Sequence, residues 1–111
     1  KEFFAKKKAT AIDYYHLSTF FLISKQFEKA EKICKEGITL DSSEIFLQLQ
    51  LAHIYLFTDR LSEAKLIHQK YKDQNVNSKK SWKKQTETDF LLFEKNNLSN
   101  KDLKKIIKIL D

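Results

Sequence analysis

YYHLSTFFLISKQFEKAEKICKEG, residues 14–37, and QLQLAHIYLFTDRLSEAKLIHQKY, residues 48–71, lie 34 positions apart and carry one apolar pattern. Leu17 falls on Leu51, Phe21 on Tyr55, Phe27 on Leu61, Ala30 on Ala64 and Ile33 on Ile67. Ser18 and Ala52, both small, also coincide. Within each stretch the apolar residues recur at i, i+3, i+4 and i+7, the spacing that puts a stripe on one face of a helix. Ser24-Lys25 and Thr58-Asp59 interrupt the stripe, so each stretch reads as two helices. Asp41 and Glu44 have capping-box spacing, and Thr58 or Asp59 can cap the helix that follows. Asn75, Asn77 and Ser78 mark a loop after the second unit.

The composition outside these stretches agrees with helices. The 111-residue chain has no Pro and one Gly, Gly37, so glycine-dependent β-hairpin turns have almost nothing to work with. Lys, Glu, Leu, Gln and Ala, all strong helix formers, are abundant. A first residue that is not Met reads as a segment of a longer protein. No purely apolar run exceeds the four residues of Phe20 to Ile23, far too few for a membrane span. Cys34 is the only cysteine, which excludes an intramolecular disulfide and a four-thiolate zinc site and fits a reducing, cytoplasmic setting. The net charge of +6 sits at the two ends. Residues 1–10 hold four Lys against one Glu, residues 11–78 eight basic against nine acidic groups, and residues 79–111 nine basic against five acidic.

The paired helices resemble the tetratricopeptide repeat (TPR), whose units are two antiparallel helices in 34 residues. Ser18, Phe21 and Ala30, then Ala52, Tyr55 and Ala64, stand at its small, aromatic and alanine positions. The resemblance implies an all-α fold, a TPR-like α-solenoid of helix hairpins, with repeat 1 over 11–44 and repeat 2 over 45–78. Residues 79–111 are expected to form a degenerate third hairpin that caps the stack. There Trp82 keeps the register of Tyr14, while Asp89 falls where an aromatic belongs. The segment 1–10, with Phe3-Phe4 and Lys6 to Lys8, reads as the tail of a preceding repeat. The family's concave face would here be lined by Ile12, Tyr15, His16 and Thr19, then Phe46, Leu49, Gln50 and His53. Lys80 and Lys84 would add a basic end fitted to an acidic partner. In the variant that grips chaperone tails, basic and Asn side chains stand where this chain has Tyr15, Thr19 and Gln50, so only Lys80 and Lys84 match.

Catalytic and metal chemistry find little support. Cys34 and His68 are 34 apart and so share a core position in successive units. His16 has Asp13 at metal-ligand spacing, but His53 has no such neighbour. One glycine cannot build a phosphate loop. The expectation is no enzyme, no metal and no cofactor. The chain is read as a protein–protein interaction module that takes a peptide or helix of a partner in its groove. The alternatives are a nucleic-acid-binding helical repeat, disfavoured by the neutral middle, and a regulatory domain of an enzyme encoded elsewhere in the chain.

Overall fold

The structure, a computed structural model, describes residues 9–111. The reading of Phe3-Phe4 and Lys6 to Lys8 as a repeat tail lies outside those residues. Among the described residues there are six helices and one isolated β-bridge: α1 Ala11–Ile23, α2 Phe27–Leu40, α3 Ile45–Phe57, α4 Leu61–Tyr71, α5 Trp82–Lys95 and α6 Leu103–Leu110. Among the described residues no helix is long and apolar enough to cross a membrane.

Helices α1 and α2, and α3 and α4, pack as neighbouring pairs, and α3 also contacts α1 and α2. Helix starts recur 34 residues on, from 11 to 45 and from 27 to 61. Small residues allow the close crossings. Ala30 and Ala64, with Ser18 and Ala52, are all fully buried. Gly37 serves the tightest approach, since a Cβ there would lie 2.8 Å from both Leu47 Cδ1 and Tyr14 Cβ. Helix α3 is apolar almost all round and buries seven residues, including Leu47, Ile54 and Leu56. A helix of that kind must be enclosed by neighbours.

The turns after α1, α3 and α5 are built alike. Lys25, Asp59 and Asn97 take left-handed φ values of 63°, 62° and 59°. The next N–H in each case closes on a carbonyl inside the preceding helix: Gln26 on Phe21 at 2.8 Å, Arg60 on Tyr55 at 2.9 Å and Leu98 on Phe93 at 2.9 Å. This satisfies orphan carbonyls at the helix end. None of the three is Gly, so each turn holds an L-residue in a conformation that costs about 1–2 kcal/mol.

The caps differ from the sequence expectation. The capping box is Thr10 with Asp13, at the start of α1. Asp41 instead ends α2 and accepts from the Ser43 N–H and hydroxyl, while Glu44 alone caps α3. Thr58 and Asp59 close α3, and α4 starts with no side-chain cap. The last helix follows Asp102, with no side-chain cap. The difference has one cause: a polar residue between two helices serves whichever end its backbone conformation fits.

The third hairpin breaks the 34-residue register. The segment 72–81 folds on itself, with the Val76 N–H on the Lys80 carbonyl at 2.9 Å and the Trp82 N–H on the Gln74 carbonyl at 2.8 Å. Helix α5 therefore begins at 82 rather than 79, and its turn residue is Asn97 rather than Phe93. Phe93 then takes the aromatic place before the turn that Phe21 and Tyr55 hold in the earlier hairpins, against Phe57 at 5.3 Å and His53 at 5.1 Å. Trp82, fully buried, stacks on Tyr71 at 5.0 Å. Helix α6 packs on α4 and α5, and Lys83 pairs with Asp111 at 3.0 Å.

Candidate functional site

The residues expected to line a groove divide into two groups. Tyr15, His16 and Phe46 come together at the surface, with ring centroids of Tyr15–His16 and Tyr15–Phe46 both 5.3 Å apart. His16 is exposed, while Ile12, Tyr15, Thr19 and Phe46 are half-buried. Leu49, Gln50 and His53 are 1%, 2% and 0% exposed, so they present no surface to a partner. That corrects the expectation for these three, and the reason is visible in their contacts. The Gln50 amide donates to Ser18 Oγ at 2.8 Å and Thr19 Oγ1 at 2.7 Å, fastening α3 to α1. His53 Nε2 meets Asp89 Oδ2 at 2.9 Å, and the Gln85 amide donates to Asp89 Oδ1 at 2.8 Å, fastening α5 to α3. Asp89 also acts on Tyr15: burial first, then this carboxylate, pushes the phenol up to about 12. Helix α5 has thus closed over part of the face that the first two hairpins were expected to leave open.

Lys80 and Lys84 do not form a pair on one helix. Lys80 lies in the loop before α5, where its ammonium donates to Thr88 Oγ1 at 3.2 Å. Lys84 sits exposed in the first turn, its backbone N–H capped by Ser81 Oγ. The later start of α5, at Trp82, is what leaves Lys80 in the loop.

Polar contacts inside the fold are structural. The Trp82 indole donates to His68 Nδ1 at 2.9 Å, which puts the His68 proton on Nε2. Burial, then the neighbouring His53, holds His68 down at about 3. The Cys34 thiol donates to the Leu47 carbonyl at 3.3 Å, and burial pushes it up to about 12, so it is no nucleophile at neutral pH. The only arginine, Arg60, grips Glu31 of α2 with both terminal nitrogens and holds that carboxyl near 2. Among the described residues no cluster of three His, Cys, Asp or Glu could hold a metal.

The open concavity lies elsewhere, between α5 and α6. It has a volume of about 680 Å³. Phe90 and Leu91 from α5, with Leu103 and Ile107 from α6, supply its apolar surface. Leu91 is 61% exposed and lies beside the partly exposed Leu103 and Ile107 in one apolar surface. Glu87 and Glu94 stand on the α5 side, and Lys101 and Lys104 on the other. The α5 stripe Glu87, Leu91, Glu94 was present in the sequence, but the 34-residue register assigned that helix a different face. Comparison with family models, characterised proteins and solved structures finds no significant match to this chain.

Proposed function

We propose that this chain is a helix-hairpin repeat module, TPR-like in its first two hairpins, that binds a peptide or helix of a partner protein. The repeat reading is supported by helix starts at 11 and 45 and at 27 and 61, and by the left-handed turns at Lys25 and Asp59. The reading is carried by one observation: the groove between α5 and α6, apolar at its centre and about 680 Å³ in volume, is open at the end of the stack. End hairpins that finish a stack present a polar outer face, whereas this one presents Leu91 and parts of Phe90, Leu103 and Ile107. The docking surface is therefore the α5–α6 groove, and not the face of α1 and α3, whose central residues hold the helices together.

The test is affinity capture from an extract of the cells that make the protein, with wild type beside Leu91→Glu. Leu91 is exposed, so the substitution leaves the fold intact, which an unchanged circular-dichroism melt confirms. Proteins retained by wild type and lost with Leu91→Glu support the reading. An unchanged set, or nucleic acid in place of protein, refutes it.

A further inference from the structure

The groove is electrically asymmetric, and its asymmetry specifies its ligand. Glu87 and Glu94 are seven residues apart on α5, two helical turns or about 10 Å along the axis. Lys101 and Lys104 stand on the opposite side. None of the four forms an ion pair among the described residues, although Lys83, Lys105, Asp102 and Asp111 nearby are all paired. One wall is α5 and the other is α6 with residues 99–101 just before it, so neither wall is a strand edge. An extended peptide would find no ladder to join, while a helix brings its own backbone satisfied. A helix lying between two helices also fits the ridge-and-groove spacing of helix packing.

Resting on the interaction reading above, we propose that the α5–α6 groove takes an amphipathic helix of another protein, about three turns long, with one basic and one acidic flank. Its apolar stripe covers Leu91, Phe90, Leu103 and Ile107. Its basic flank seats against Glu87 and Glu94 and its acidic flank against Lys101 and Lys104. A helix turned end for end exchanges its left and right flanks. The charges therefore select the direction in which such a helix lies, and they discriminate against helices with two flanks of one sign. A second copy of this chain fits less well, because the exposed Lys104, Lys105 and Lys108 of its α6, with Lys101 just before that helix, would meet Lys101 and Lys104 as like charges.

The experiment uses three fluorescein-labelled synthetic 16-residue helices with one leucine stripe and three flank patterns: Lys with Glu, Lys on both sides, and Glu on both sides. Anisotropy is read against wild type, Glu87→Lys/Glu94→Lys and Leu91→Glu. The expected result is that wild type prefers the mixed helix by about tenfold at low salt, the sum of several exposed pairs, with the preference shrinking as salt rises. In Glu87→Lys/Glu94→Lys the all-Glu helix binds tightest. Equal binding of all three helices that is lost with Leu91→Glu overturns the charge inference and leaves the groove reading standing. Absence of binding, or binding indifferent to Leu91→Glu, overturns both. Sedimentation of the free protein adds one further outcome: a dimer abolished by Leu91→Glu makes a second copy the occupant and overturns the proposal.

Discussion

Replacing Gly37 with alanine sets two effects of known size against each other. In an exposed helix interior, Gly→Ala gains about 1 kcal/mol, because glycine loses more backbone freedom on folding. Position 37 is buried within α2, and the added methyl would meet Leu47 Cδ1 at 2.8 Å and Tyr14 Cβ at 2.8 Å, with Leu47 Cδ2 at 3.3 Å. The Leu47 contacts can be relieved by rotating a flexible side chain. The Tyr14 contact cannot, because a Cβ moves only with its backbone, and α1 is tied to α3 through Gln50. Overpacking of this kind costs about 1–3 kcal/mol, and the rigid contact places Gly37 in the upper half of that range. The net expectation is a loss of about 1–2 kcal/mol and a melting temperature lower by about 5–10 °C. Thermal and urea unfolding at pH 7, followed by circular dichroism, measure it. In a Leu47→Ala background the added cost of Gly37→Ala shrinks, whereas in Tyr14→Phe it does not, since the Cβ remains. A Gly37→Ala variant that melts above wild type would refute the reasoning, because helix propensity would then have outweighed a contact that does not exist.

Acid should weaken the fold in two stages. His68 is held down at about 3 against an ordinary 6.5, so the unfolded chain takes its proton first. Its contribution is complete above 6.5 and is lost as pH falls toward 3, at up to about 1.4 kcal/mol per pH unit. Glu31, near 2 against 4.5, adds a second loss between pH 4.5 and 2. Urea midpoints from pH 7 to 3 test the sign, and His68→Leu should flatten the slope above pH 4.5. Lys25→Gly should raise stability by about 1 kcal/mol by removing the left-handed penalty at φ 63°, whereas Lys25→Ala should leave it nearly unchanged; thermal melts of the pair decide.

Helices α1 to α4 were legible because their apolar stripes recur at a spacing of 34 residues, and the helix starts at 11 and 45 and at 27 and 61 keep that spacing. The buried helix α3 was legible too, in a run where Leu47, Leu49, Leu51, Ile54 and Leu56 leave no polar side. That run also carried a warning. The enclosed side of such a helix cannot donate Leu49, Gln50 and His53 to a binding face. The third hairpin was harder to read because the loop at 72–81 owes its length to local hydrogen bonds, such as Asn77 Oδ1 with the Lys79 and Lys80 N–H groups. A bulge of that kind has no periodic trace, and it displaced every residue after it. The α5–α6 groove was hidden for the same reason: Glu87 and Lys101 become neighbours of one concavity only once the turn at Asn97 is placed.

Two residues that occur once each, Cys34 and Trp82, lie at two different contacts between successive hairpins. Cys34 is sealed between α2 and α3, and its thiol reaches a modifying reagent only when the first hairpin opens. Trp82, stacked on Tyr71 and bonded to His68, changes its emission when the third hairpin leaves the second. The native chain thus carries two independent clocks, with no label to introduce. If alkylation of Cys34 and the change in Trp82 emission follow the same dependence on urea, the hairpins rise and fall as one unit. If Trp82 moves first, the end that carries the groove opens while the rest stays folded, and ligand binding there would be read as a delay of that clock alone.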